Sequence, residues 1–356
     1  MPDAAEGMPG AAVKRVRLTR RVFEGKTLDI HSHAGVSLKA YACQEYPYAA
    51  TIEGLAGQQA AHGVDANVVF PFTADLFFDP VWLAKGRNRP ARRPLSPSPY
   101  AVENELLLRE AYEFCPELSA RFLPFVSVDP GRKIREQERA LRALARRFPV
   151  YGIKINPVLC QSRITGLLGR GGALLDLARE MDWPLLLHTT SVLEEAYSNA
   201  DLTFRVVERN PDLRWCLAHA ILFHRGWLRR ADGMPNVWVD TAALKIQVQL
   251  VRDNPDVLPR PQRLDADFRD HRKVMRALMD EFPDTIVWGS DAPAYSYICR
   301  RMQSEGVFTE FRLKATYADE VEALDALPPA LRRRACNANS LDFLFGNEKE
   351  MKKGTL

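Results

Sequence analysis

The stretch Leu28-Asp29-Ile30-His31-Ser32-His33 decides how this chain is read. It begins apolar and ends with two imidazoles two residues apart. Side chains alternate between the faces of a strand, so His31 and His33 point the same way. Two co-facial imidazoles at a strand's C-terminal end can grip one divalent cation. An isolated His-x-His is more often a pair of unrelated polar residues, so its meaning depends on what the chain places beside it.

Seven further runs resemble this one: 67–72 (NVVFPF), 122–128 (FLPFVSV), 151–155 (YGIKI), 184–189 (PLLLHT), 214–219 (RWCLAH), 236–241 (NVWVDT) and 285–290 (TIVWGS). They are short and apolar on both faces, as buried parallel strands are. Amphipathic helices separate them. Over 131–148, Ile134, Leu141, Leu144, Ala145 and Phe148 keep to one stripe while arginines and glutamates fill the other. Segments 172–182, 194–209 and 266–282 behave similarly. Pro211, Pro235 and Pro283 stand just before strands, where helices must already have ended.

Eight strands alternating with helices predict an α/β fold, a (β/α)8 TIM barrel. A doubly wound open sheet would alternate too. It does not explain why polar, ligand-type residues collect at the C-terminal ends of nearly all the strands, whereas a barrel carries its active site on that face. The expected plan is a flexible arm over 1–25, one barrel domain over 26–346 and a tail over 347–356. Residues 34–66, 73–99 and 242–265 are long loop insertions on the C-terminal face. They read as pocket walls or dimer contacts, and a homodimer is expected. The run Lys85–Pro99 reads as a solvated basic loop, with anion binding as the alternative, and could be poorly ordered when free. Loop aromatics Tyr46, Tyr48, Phe77, Phe78, Trp82, Tyr295 and Tyr297 would suit an apolar or aromatic substrate, or a dimer contact.

The bulk composition excludes several classes. A formal charge of +4 on 356 residues makes no case for nucleic acid. No apolar stretch is long enough to span a bilayer. The basic N-terminus has no apolar core behind it and does not read as a secretory signal. The six cysteines (Cys43, Cys115, Cys160, Cys216, Cys299 and Cys336) are scattered without a C-x-x-C, which predicts reduced thiols and a cytoplasmic protein.

Chemistry-bearing residues gather at the strand ends. Lys154 and Asn156 close the fourth run, His188 and Thr189 the fifth, His219 the sixth and Asp240 the seventh; Asp291 follows the eighth. Singly each is ordinary: a histidine at a strand end is usually structural, and Ser-Asp often caps a helix. In a closed barrel, however, these ends converge on one axis. His62 and His271 read as surface residues, and His224 as a residue of the rim.

The ordered set DIHSH (29–33), GIKINP (152–157), LLLHTT (185–190), LAHA (217–220), VWVDTAA (237–243), VWGSDAP (287–293) and CNANSLDFLFG (336–346) resembles the amidohydrolase superfamily, in its amidohydrolase 2 branch of metal-dependent TIM-barrel hydrolases and decarboxylases. The resemblance implies that His31, His33, His188 and Asp291 bind one divalent metal ion. Zn²⁺ is the ion most often found, and Mn²⁺, Fe²⁺ or Co²⁺ also suit the set. It implies that metal-activated water attacks the carbonyl of a small-molecule ester, thioester, lactone or amide. His219 and Asp291 would be catalytic, Asp291 carrying the proton. Lys154 would contact substrate, bridge two ions as a carboxylated lysine, or serve structure alone. Asn156, Thr189 and Asp240 are further pocket candidates. The same residues could serve non-oxidative decarboxylation of an unsaturated or aromatic acid, and a barrel that only binds a ligand is a third reading.

Overall fold

The computed structural model describes residues 17–38, 49–192, 194–254, 256–294, 296–304 and 307–346, the side chains of 296–311 excepted. Tyr46, Tyr48, Tyr295, the outer parts of both termini and the middle of the first long loop lie outside the described residues, as does the side chain of Tyr297.

All eight expected strands form: β1 Leu28–Val36, β2 Ala66–Pro71, β3 Phe122–Val128, β4 Gly152–Ile155, β5 Leu185–Leu187, β6 Trp215–Leu217, β7 Val237–Asp240 and β8 Ile286–Val287. Each pairs in parallel with the next. A short strand, Ala49–Ala50, adds antiparallel to the far end of β1. The barrel closes where the Ile30 amide donates to the Trp288 carbonyl (3.2 Å), the Asp291 amide to His31 (2.7 Å) and the His33 amide to Ala292 (2.7 Å). Outside lie α1 Ile52–Ala61, α2 Ala101–Arg109, α3 Ile134–Arg147, α4 Gly172–Met181, α5 Ala200–Val207, α6 Arg225–Asp232, α7 Leu244–Asp253, α8 His271–Glu281, α9 Tyr317–Asp325 and α10 Asn339–Phe345. Among the described residues no helix is long and apolar enough to cross a membrane.

Strand alternation sorts the apolar residues into two cores. Val69, Val126, Ile153, Leu185, Leu217, Val239 and Ile286 pack outward against the helices. Leu28, Ile30, Val68, Phe70, Leu123, Phe125, Leu186, Cys216 and Val287 fill the barrel. Phe23, Leu341, Phe343 and Leu344 plug its N-terminal end, and burying one such phenylalanine contributes about 1.5–3 kcal/mol. The inner end of the expected N-terminal arm is therefore part of the fold: Arg20–Phe23 form a 3₁₀ turn, and Arg20 donates to the Gly346 carbonyl.

In β1 the pairing slips. Asp29 faces Asn67 and Ser32 faces Val69, so three steps of β1 match two of β2. This bulge lets consecutive residues, Ile30 and His31, both face the barrel interior. His31 and His33 then share that face, and Asp29 and Ser32 turn toward the wall.

Two expectations about loops need correction. The run Lys85–Pro99 is solvated, as expected, with Arg87, Arg89, Arg92 and Arg93 exposed, but it is anchored and not loose. Phe77, Phe78, Leu83 and Tyr100 form a small core of their own with Ala74 and Cys160. Gln161 donates to the Gly86 carbonyl and accepts from the Asn88 amide, which ties the loop to the end of β4. Phe77 and Phe78 are thus structural, and half-buried Trp82 lies under the Arg89 guanidinium, 3.5 Å from the ring centroid. A fourth insertion also exists: after β8, Ser296–Ser304 and Val307–Lys314 pair as an antiparallel ribbon.

Glu103 of α2 accepts the Leu76 amide (3.0 Å) and anchors the same loop. Burial, with Asp75 nearby, raises its carboxyl to about 7. The native state therefore holds a proton that the unfolded chain releases near pH 4.5. Stability should fall as pH rises between those values, by on the order of 3 kcal/mol. Urea unfolding at pH 5.5 and 8 should show this loss in the wild type and much less of it in Glu103→Gln; parallel curves would contradict it.

Candidate metal centre and active site

The inward positions at the C-terminal end of the barrel carry the titratable residues. His31 and His33 come from β1, Lys154 from β4, His188 from the end of β5, Asp240 from β7 and Asp291 from beyond β8. Among the described residues, donor atoms of His31, His33 and Asp291 form a buried group lying within 4.8 Å of one another. One Asp291 oxygen faces the Nε2 atoms of His31 (3.2 Å) and His33 (3.1 Å). His33 is stacked on Phe72 (centroids 4.5 Å, planes 10° apart) and edge-on to Phe70 (4.6 Å), while its Nδ1 has no hydrogen-bond partner among the described residues.

Hydrogen bonds select the ring tautomers. His31 Nδ1 lies 2.8 Å from an Asp240 oxygen. A carboxylate accepts, so Nδ1 carries hydrogen and a neutral His31 turns the lone pair of Nε2 toward the centre. His219 Nδ1 lies 3.0 Å from the Ala242 carbonyl, which can only accept. His219 Nε2 is then an acceptor and takes the Nδ1–H of His188 at 3.0 Å. His188 in turn keeps a lone pair on Nε2. The two imidazoles are thereby set as a metal ligand must be, although His188 stands outside the three-residue group.

His219 reaches the site by an irregular route. Cys216 and Ala218 take the inward positions of β6, so simple alternation would send His219 outward. Its backbone is left-handed instead (φ 63°), and Ala220, Ile221, Leu222 and Phe223 continue in the same region at 49°, 46°, 52° and 61°. Non-glycine residues pay roughly 1–2 kcal/mol each for this conformation, and their burial holds them in it. The His219 amide is fixed by an Asp240 oxygen at 2.9 Å.

Charge is balanced by contact. Burial would raise the Asp291 carboxyl, but His31, His33 and His219 hold it well below the usual carboxylate range. Burial and Lys154 push His31 down; Asp240 and Asp291 outweigh them and raise it. Burial lowers His33 to about 4 against the pull of Asp291. Burial also lowers His219, and takes His188 well below the usual imidazole value. The Lys154 ammonium lies 3.0 Å from His31 Nε2 and 4.5 Å from the Phe70 ring centroid. Burial brings it down to about 8 despite Asp240 and Asp291.

Other candidates lie elsewhere in the bonding. Asn156 caps the short helix Pro157–Cys160 by accepting the Leu159 amide, and the Thr189 hydroxyl turns back to the Leu187 carbonyl. His224 caps α6 by accepting the Trp227 amide. His62 and His271 are half-buried, bonded to the carbonyls of Gln58 and Asp319. Residues not singled out from sequence include Phe70 and Phe72, whose inward periodicity was readable, and Gly289. A Cβ on Gly289 would stand 2.7 Å from the His31 Cβ. Gly289→Ala should therefore lower stability by about 1–3 kcal/mol and weaken metal uptake together. Thermal unfolding and Zn²⁺ titration check this; an unaltered variant would mean that β1 yields freely.

Solved structures share the architecture. A probable 2-pyrone-4,6-dicarboxylic acid hydrolase from Acinetobacter baumannii, solved with citric acid bound, superposes with a TM-score of 0.53 at 14% identity, covering 90% of this chain and 100% of that one. An uncharacterised TIM-barrel protein from Bordetella bronchiseptica gives 0.54 at 11%, covering 90% and 98%. IDCase from Metarhizium anisopliae in its apo form gives 0.51 at 15%, covering 91% and 98%. No curated protein matches the sequence. The closed barrel and the buried His-His-Asp group agree with a family model, described as Amidohydrolase, that matches residues 29–346, and the chain belongs to the amidohydrolase family.

Proposed function

We propose that the chain is a metal-dependent hydrolase acting on the carbonyl of a small-molecule ester, thioester, lactone or amide. The observation that carries this reading is the buried convergence of His31, His33 and Asp291 at the barrel mouth. The donor set, with two imidazole nitrogens and a carboxylate, fits one divalent transition ion, and Zn²⁺ suits it well. His188 completes the proposed ligand set. What such an ion supplies is an acidified water and a positive charge against a carbonyl oxygen.

The remaining work falls to the chain's own residues. Asp291 accepts a proton from water and passes it to the leaving group. His219, its Nδ1–H committed to Ala242, meets water or substrate through Nε2 when that atom exchanges its bond from the His188 Nδ1–H. Lys154 is the buried cation that meets a developing negative charge on the substrate. Asp240 holds the His31 and His219 segments in register. A cytoplasmic setting belongs to the same reading, since Cys115, Cys216 and Cys336 form no disulfide among the described residues. A homodimer is also part of it.

Elemental analysis of protein purified without chelator should find one transition metal per chain. A panel of esters, lactones and amides in ¹⁸O-water should show chelator-sensitive turnover with label in the acid product. Absence of metal would sink the reading. CO₂ release from unsaturated or aromatic acids, with no uptake of water, would reassign the site to decarboxylation. Two ions per chain would move Lys154 to a bridging role.

A further inference from the structure

The three clustered donor residues lie on the two sides of the line where the barrel closes. His31 and His33 belong to β1; Asp291 follows β8, a strand of only two residues. Few backbone bonds join these sides, so something else must fix the spacing of the donors. Asp29, fully buried, faces away from the barrel interior at this line. One carboxylate oxygen accepts the amides of Ser290 (2.9 Å) and His31 (3.1 Å). The other accepts the hydroxyls of Ser290 (2.6 Å) and Tyr317 (3.3 Å). Four donors from β1, the end of β8 and α9 thus meet on one carboxylate. Three of them belong to His31 itself and to Ser290, the residue directly before Asp291. The Ser290 hydroxyl is held in turn by the Ala292 amide (3.1 Å).

We propose that Asp29 is a positioning residue for the metal centre: it clamps the closing line of the barrel and sets the distance between His31 and Asp291 without touching ion or substrate. This rests on the metal reading above. Asparagine at position 29 would keep the volume and could hold both amides on its oxygen, but its N–H₂ would force the Ser290 and Tyr317 hydroxyls to turn from donating to accepting, and the charge that gathers the four donors is lost. Groups that orient metal ligands in this way carry roughly 10- to 100-fold of metal affinity.

The test is competitive titration of chelator-stripped full-length protein with Zn²⁺, together with the visible spectrum of the Co²⁺ form. Asp29→Asn should weaken Zn²⁺ by roughly 10- to 100-fold and alter the Co²⁺ bands. Ser290→Ala should move both in the same direction by less, and it serves if Asp29→Asn does not fold. Amide exchange should quicken over 28–36 and 286–292 in both. Leu141→Ala, a core change in α3 on the connection between β3 and β4, should lower the melting temperature and leave the Zn²⁺ affinity unaltered. If the wild type binds Zn²⁺ and the Asp29 and Ser290 variants bind it within twofold with unaltered Co²⁺ bands, the clamp serves stability alone and the proposal is overturned. If the wild type takes up neither ion, the metal reading fails and the proposal with it.

Discussion

His33→Ala is expected to abolish stoichiometric metal uptake and activity while leaving the barrel folded. The imidazole is a donor in the buried group, so its loss should cost at least about 100-fold in Zn²⁺ affinity, the upper end of what losing an outer hydrogen-bond partner costs. The fold should tolerate the change because two effects oppose each other. Removing a ring packed between Phe70 and Phe72 leaves a cavity. Removing it also relieves a buried Nδ1 that has no partner among the described residues, a defect of about 1–3 kcal/mol. Metal analysis and thermal unfolding on the same preparation decide the matter. Unaltered metal content, or loss of the fold, would make the histidine pair structural.

Asp240→Asn should be the most damaging substitution that touches no substrate. The Asp240 carboxylate accepts from His31 Nδ1 and from the amides of His219 and Ala242. Burial would raise its carboxyl, but His31 and His219, with Lys154, bring it down to about 2. Asparagine offers one acceptor where three donors converge. If its amide nitrogen faces His31, it donates to Nδ1 and drives the ring hydrogen to Nε2, the atom proposed to hold the ion. Breaking a buried charge pair of this kind costs about 3–5 kcal/mol, and misorienting a ligand costs roughly 10- to 100-fold in metal affinity. Urea unfolding and Zn²⁺ titration measure the two separately. Full affinity in a stable variant would show that His31 is oriented by packing alone.

The strands were legible because a parallel barrel demands continuous apolar runs, and LDIHSH, FLPFVSV and VWVDT have few other uses. Helix spacing was equally plain in 131–148, where the apolar stripe repeats without interruption. His31, His33, His188, Asp240 and Asp291 could be collected from sequence because each stands at or just beyond a strand end. What stayed hidden was set by contacts between distant segments. Nothing in the run Lys85–Pro99 says that Phe77, Phe78 and Tyr100 close a core beneath it. Asn156 sits at a strand end like a ligand, yet the next turn claims its side chain. The ribbon of 296–304 and 307–314 was readable in part, since EFRLK alternates, but it falls where a barrel needs no further strand. The inward turn of His219 depends on a left-handed segment that no propensity of His-Ala-Ile-Leu-Phe would suggest.

The slip between β1 and β2 has a consequence for how such a centre can be inherited or built. Phase, rather than composition, is what brings His31 beneath the mouth, because a single uncounted residue separates the apolar rhythm of Leu28 and Ile30 from the ligand rhythm of His31 and His33. Deleting one residue there would retain every side chain needed for chemistry and aim the first imidazole at the helices. Reading or designing a relative of this barrel therefore means aligning its first strand by parity, and an insertion or deletion of one residue before the histidines is a change of function even when both remain.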